Sequence, residues 1–174
     1  MAQPSSEALR EQLERDLPGA LLTAPMVLPQ PPAPGHGPKA ELLPQSGLVI
    51  DASRIVEVAL YLRDRVGYTF LSDIAVVDYL ASEIFELVYR FYSVEGGSSI
   101  VLKARVPRVN PAMPSLTPIW PGANFHEREA YDLYGISFSG HPYLRRIYMW
   151  DEFEGFPMRK DFPKQGDKYI GEEE

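Results

Sequence analysis

The sequence predicts an α+β fold in two layers, in which helices cover one face of a mixed sheet of about five strands. Three observations predict it. Two segments repeat apolar residues at helical spacing, three later segments have the composition of strands, and a Gly-Gly pair separates the last two of these strands. The predicted order is helix, two strands, helix, three strands, followed by an extended C-terminal arm.

The composition of the 174-residue chain excludes several classes of function. The formal net charge of -7 argues against a nucleic-acid partner, because no basic excess is available to neutralise phosphates. The absence of cysteine excludes disulfides, Cys-ligated iron–sulfur clusters and a Cys nucleophile. The N-terminus lacks a secretory-signal pattern, and no apolar run approaches the ~20 residues that span a bilayer. We therefore expect contact with a membrane only through another protein.

The first helix and the first two strands are predicted before residue 53. The helix spans residues 6–16 and ends at Pro18. Strands are predicted over 20–28 and 48–52. The intervening residues 28–46 are dense in Pro and Gly, which predicts an exposed loop, with a Pro-rich partner motif as the alternative.

A second helix is predicted over 54–66, where apolar residues form one stripe. They are Ile55, Val58, Ala59, Leu62 and Val66. Asp51 or Ser53 is placed to cap the start of this helix, and Gly67 suits the left-handed position after its end.

Three strands follow. The nearly continuous apolar run 68–80 predicts a central strand, and 84–94 and 98–107 alternate apolar and polar residues. Gly96-Gly97 predicts a hairpin turn between the last two.

Beyond residue 108 we predict a second region, 109–174, after an α+β domain at 1–108. Its first part is rich in Pro, which forbids a long helix or a central strand. A short helix is predicted over "ANFHEREAYDLYG", ended by Gly135. The remainder has no periodic element, which predicts an arm that lies on the domain or on a neighbouring protein.

The short helix concentrates charged residues, whose chemistry has several interpretations. They are His126, Glu127, Arg128, Glu129 and Asp132. A metal site is disfavoured because only His126 and His141 are near and no H-E-x-x-H spacing exists. A general acid–base pair is disfavoured because Glu127 and Glu129 point away from each other on a helix. No nucleophile-elbow motif and no phosphate-binding glycine loop are found. The remaining interpretations are a docking surface and a solvated surface, since arginine with aromatic residues is typical of interfaces.

The motifs of this region resemble the thirty-kilodalton subunit of respiratory complex I, known as the C subunit in bacterial enzymes and the J subunit in photosynthetic ones. The resemblance is carried by Glu127-Arg128-Glu129, Asp132, His141, Arg145, Arg146-Ile147 and Arg159-Lys160-Asp161 at fixed spacing. "FLSDIAVVDYL" (70–80) is similar to a family strand, and the resemblance covers about residues 47–163. Family members usually carry Trp at position 131 and often His at position 156, where this chain has Tyr131 and Phe156.

The resemblance implies a subunit without catalytic residues, cofactor or metal of its own, in the peripheral, quinone-reducing arm of a proton-pumping NADH:quinone oxidoreductase. It implies three partner subunits, of the forty-nine-kilodalton, twenty-kilodalton and twenty-three-kilodalton types. Iron–sulfur clusters, FMN and quinone are expected on partner subunits, at the cytoplasmic face of the bacterial membrane. We expect nine residues to make paired contacts, within the chain or to neighbours: Glu127, Arg128, Glu129, Asp132, His141, Arg145, Arg146, Arg159 and Lys160.

Three alternatives remain open. The first is the equivalent subunit of a ferredoxin-dependent photosynthetic complex I or of a membrane-bound [NiFe] hydrogenase complex. The second is a free-standing carboxylate-dependent hydrolase. The third is an adaptor that acts through the Pro-rich residues 28–46.

Overall fold

The computed structural model of the chain describes residues 4–22 and 47–163. Within them the helices are α1 (Ser6–Asp16), α2 (Ile55–Tyr61) and α3 (Ala123–Tyr134). The main sheet comprises β1 (Leu48–Ile50), β2 (Phe70–Tyr79), β3 (Ile84–Tyr92) and β4 (Ile100–Pro107). A second sheet pairs β5 (Ala112–Pro114) with β6 (Ser137–Ser139). The predicted α+β fold class is confirmed.

The main sheet has the strand order β1-β4-β3-β2, with β1 parallel to β4 and the other pairs antiparallel. Alternate residues of β3 and β4 are buried on one face, where Leu87 lies opposite Ala104 and Tyr89 opposite Leu102. The same core takes in the leucines of α1 and the apolar stripe of α2. This alternation is the pattern that the sequence predicts for these two strands.

Two predictions about the sheet are corrected. The expectation that 68–80 forms a central strand is wrong, because β2 lies at the edge and β3 and β4 are central. Ala75 is exposed and Val77 half-buried on its outer face, so the apolar run does not report the strand's position in the sheet. In the predicted strand 20–28, Leu21 forms a single antiparallel bridge with Ile50. The positions after residue 22, and the Pro-rich 28–46, lie outside the described residues.

The predicted second helix consists of three successive helical types. The carboxylate of Asp51 accepts the N–H of Ser53 at 2.8 Å and begins a 3₁₀ turn at Ala52–Arg54. Helix α2 follows, and a π-helical turn over Leu62–Val66 closes the segment. Gly67 then has a φ of 88°, the left-handed conformation that the sequence predicts for this position.

Helix α3 links the main sheet to the C-terminal region. It packs against β2 and ends at Gly135, whose φ of 75° lets its N–H bond to the carbonyl of Tyr131. The strands on either side of it, β5 and β6, pair in parallel. From Gly140 to Pro163 the chain forms turns without a helix or strand. No helix in the described part of the chain has the length and apolar character needed to cross a membrane.

Candidate functional site

The C-terminal arm (residues 140–163) follows α3 from its first turn to its last. Near the start of the helix, Nε2 of His141 lies 3.4 Å from the carbonyl oxygen of Asn124. In the middle, the guanidinium of Arg128 donates to two backbone carbonyls of the C-terminal arm. At the end, Nε of Arg159 donates to the carbonyl of Tyr134 at 2.7 Å. These contacts replace the backbone ladder that the C-terminal arm lacks.

Asp132 fixes the central turn of the C-terminal arm. Its fully buried carboxylate accepts the backbone N–H groups of Ile147, Tyr148 and Met149 at 2.9, 2.7 and 3.0 Å. Its other oxygen accepts Nη1 of Arg146 at 2.7 Å. Burial alone raises the pKa of Asp132, but the three backbone bonds and the guanidinium together lower it. The carboxylate therefore remains ionised and holds four donors of one turn.

Arg146 joins this turn to the next one. Besides pairing with Asp132, its guanidinium donates to the carbonyls of Phe153 and Gly155, both at 3.0 Å. It also lies over the rings of Phe153 and Phe156, 5.7 and 5.5 Å from their centroids. One planar cation thus connects two turns of the C-terminal arm to α3.

Glu127 performs the equivalent task on the other side of α3. Its fully buried carboxylate accepts bonds from the hydroxyl of Ser115 at 2.5 Å, the N–H of Leu116 at 2.6 Å and the hydroxyl of Thr117 at 3.1 Å. Burial raises the pKa of Glu127 against the opposing effect of these hydrogen bonds. Glu129, two residues further along α3, is only half-buried.

Arg108 closes the C-terminal arm onto the main sheet, a contact that the sequence analysis missed. This side chain is only 6% exposed, and its Nη2 contacts Oδ1 of Asp161 at 2.6 Å. Its Nε lies 2.9 Å from Oδ1 of Asp78 on β2. Hydrogen bonding to Asp161 and then to Asp78 raises the pKa of Arg108 against the effect of burial. The available sequence signal was Asp78, an acidic residue within an apolar strand.

Arg159 lies close to this ion cluster but is surrounded by aromatic rings. Its guanidinium is 4.7 Å from the ring centroid of Phe156 and 5.1 Å from that of Phe85. Burial first, and then repulsion by Arg108, lower the pKa of Arg159. It acts as a cation packed on aromatic faces and bonded to the end of α3.

The side chains of the remaining predicted residues make fewer contacts than those of Asp132 and Arg146. Nδ1 of His141 accepts the N–H of Tyr143 at 3.0 Å, and the exposed guanidinium of Arg145 lies 4.6 Å from the ring centroid of Tyr143. The side chain of Lys160 is exposed. The predicted residues therefore differ in burial. Glu127 and Asp132 are fully buried, Arg145 and Lys160 are exposed, and the other five are half-buried.

Large apolar side chains are exposed along α3 and the C-terminal arm. We refer to these five exposed side chains together as the apolar surface: Phe125, Tyr143, Tyr148, Trp150 and Met158. Sequence reasoning did not identify it, because the periodic signals that separate inner from outer residues are missing from an irregular segment. Exposed aromatic side chains are enriched at protein–protein contact sites. These exposed side chains therefore lie on a segment whose backbone is fixed by buried ion pairs.

The chain is similar in sequence to proteins of one family. A family model described as the respiratory-chain NADH dehydrogenase 30 kDa subunit matches residues 48–168. The chain is 47% identical over 127 residues to the C subunit of NADH-quinone oxidoreductase from Roseiflexus sp. (strain RS-1), covering 71% of this chain and 73% of that protein. It is 45% identical over 118 residues to the C subunit of the Moorella thermoacetica enzyme, covering 68% and 80%.

Two solved structures are similar to the chain. A trypsin-resistant fragment of Nqo5 is similar with a TM-score of 0.52 and 38% identity, covering 56% of this chain and 80% of that one. A chain of an archaeal membrane-bound sulfane sulfur reductase has a TM-score of 0.65 at 24% identity, covering 90% and 85%, which shows a shared fold. Because the family model covers more than half of the sequence, the chain belongs to the family of the 30 kDa subunit of respiratory-chain NADH dehydrogenase.

Proposed function

We propose that this chain is a non-catalytic structural subunit of the peripheral, quinone-reducing part of a proton-pumping NADH:quinone oxidoreductase. It binds the forty-nine-kilodalton, twenty-kilodalton and twenty-three-kilodalton types of partner subunit at the cytoplasmic face of the bacterial membrane. The chain brings no redox group, and iron–sulfur clusters, FMN and quinone are held by its partners. Family membership supports the complex, and the geometry of the C-terminal arm supports the docking role.

One observation carries the docking role. The buried carboxylates of Glu127 and Asp132 are occupied by donors of this chain, so they shape its backbone. The apolar surface, in contrast, is directed to solvent. A segment that is ordered before binding loses less conformational entropy when it binds, which increases the net affinity of its contacts. Electron transfer between neighbouring subunits requires such fixed positions.

The proposal is tested in the host organism by replacing the native chain with a tagged variant that carries Asp132→Asn. A tagged variant that carries Glu95→Gln, on the β3–β4 hairpin, is the control. We expect Asp132→Asn to lower the amount of assembled complex on a native gel. NADH:quinone activity should fall in proportion, so that activity per assembled complex is unchanged. The control is exposed and belongs neither to α3 nor to the C-terminal arm, so it should assemble normally. Normal assembly with lost turnover, or NADH oxidation by the purified chain alone, would contradict the proposal.

The host complex is identified by its co-purified cofactors. NADH:quinone oxidoreductase predicts FMN and iron–sulfur clusters in the material that the tagged chain retains. Nickel in place of FMN would indicate a hydrogenase complex. The same preparation therefore decides between the proposed function and its nearest alternative.

A further inference from the structure

Trp150 combines high exposure with a fixed position. Its side chain is 64% exposed, yet its ring lies edge-on to Phe153, with centroids 4.9 Å apart and an interplanar angle of 89°. Phe153 is itself held between the ring of Phe162, at 5.9 Å, and the guanidinium of Arg146, at 5.7 Å. Arg146 is in turn bound to Asp132. The indole is therefore largely exposed, and the ring that it contacts lies against the ion pair between Arg146 and Asp132.

Three acidic side chains lie next to this indole in the sequence. The side chains of Asp151, Glu152 and Glu154 are exposed. Among residues 4–22 and 47–163, no ion pair joins any of them to a cation. Asp161, in the same segment, is paired with Arg108. Three acidic groups beside an exposed aromatic ring attract a surface that carries positive charge.

We infer that Trp150 is the anchor through which the C-terminal arm binds a partner protein, in an apolar pocket with arginine or lysine at its rim. This inference rests on the proposed function and adds to it the point of contact and the charge of the partner's surface. A partner guanidinium can stack on the exposed indole and pair with the adjacent carboxylates. A rigid aromatic group surrounded by polar residues is the usual composition of the centre of an interface.

Site-specific photocrosslinking in the intact complex tests the point of contact. The photoreactive residue p-benzoylphenylalanine is placed at position 150 of the full chain, and at position 94 as the control. Val94 is 77% exposed on the β3–β4 hairpin. We expect irradiation to join position 150 to another subunit, through a peptide that contains Arg or Lys, and to leave position 94 unlinked. A chain that co-purifies with the complex but forms no adduct at position 150 overturns the inference and leaves the proposed function intact. A chain that fails to co-purify in its native sequence overturns both.

Retention at increasing salt tests the partner's charge. The variant Asp151→Asn/Glu152→Gln/Glu154→Gln is compared with Glu7→Gln/Glu11→Gln/Glu95→Gln, which removes the same charge from exposed sites elsewhere. Complexes are washed with NaCl from about 50 to about 500 mM, a range over which screening becomes strong. We expect the anchor triple variant to be released at lower NaCl than the native chain, and the control triple variant to follow the native curve. Identical release of both triple variants overturns the inference.

Discussion

The carboxylate of Asp78, on β2, accepts the backbone N–H of Lys160 at 2.9 Å across 82 positions of sequence. The contact uses the main chain at position 160, while the lysine side chain is exposed. Asp78 also pairs with Arg108, which binds Asp161 one residue further along. The end of the C-terminal arm is therefore attached to the sheet by a buried aspartate and a buried arginine, and the lysine side chain takes no part.

Substitution of Asp78 should consequently lower the free energy of unfolding more than substitution of Lys160. We expect Asp78→Asn to lower the free energy of unfolding by about 3–5 kcal/mol, because it leaves the guanidinium of Arg108 buried with a weakened partner. Lys160→Ala should stay within about 0.5 kcal/mol of the native chain. Urea unfolding of the purified chain measures both. Equal losses would mean that the lysine side chain contributes as much to stability as the carboxylate of Asp78.

Asp132 should make the free energy of unfolding decrease as the pH becomes acidic. Because its pKa is lowered in the folded chain, its stabilising contribution is present above the ordinary aspartate pKa and is lost as pH falls through the folded value. We expect Asp132→Asn to cost about 3–5 kcal/mol at pH 7, with a difference from the native chain that shrinks below roughly pH 4. Urea unfolding at a series of pH values measures it. The exposed Asp151→Asn serves as the control and should change little at pH 7.

Glu127 should show the opposite pH trend. Its pKa is raised by burial, so its contribution is fully present below the ordinary glutamate pKa and is lost as pH rises through the folded value. We expect the native chain to exceed Glu127→Gln in stability most at about pH 4, and by less as neutral pH is approached. The same unfolding series tests this. A difference that grows towards neutral pH would show that the hydrogen bonds from residues 115–117 outweigh burial.

The sequence predicts those parts of the fold that have local signals. Asp51 and Gly67 mark the two ends of the second helical segment, and Gly135 marks the end of α3. The edge position of β2 has no such signal, since apolar residues at Ala75 and Val77 occur without strands on both sides. Strands as short as β5 and β6 contain too few residues to show a period of two. Pairings between distant strands depend on the whole chain.

For the candidate site, the sequence indicates which residue types matter but not what they bind. Asp132 and Arg146 belong to the predicted set, and their pairing with each other depends on how the C-terminal arm turns back along α3. The role of the set at subunit interfaces stays a prediction. Trp150 lies in a segment without periodicity, so its exposure follows only from the structure.

Gly135 and Gly67 allow the packing of the C-terminal arm to be tested separately from backbone strain. Both follow a helical segment with positive φ, 75° and 88°. A Cβ at Gly135 would lie 2.5 Å from the ring of Phe156 and 2.9 Å from Nη2 of Arg159, whereas a Cβ at Gly67 meets nothing within 4 Å.

We therefore expect Gly67→Ala to cost about 1–2 kcal/mol from left-handed strain alone. Gly135→Ala should cost roughly 1–3 kcal/mol more, because its methyl group displaces the ring and the guanidinium that hold the C-terminal arm against α3. Urea unfolding measures the difference between the variants. Limited proteolysis should show faster cleavage within residues 140–163 for Gly135→Ala only. Equal costs and equal cleavage would mean that Phe156 and Arg159 move aside freely, and that the C-terminal arm is held to α3 by Asp132 and Arg146 without them.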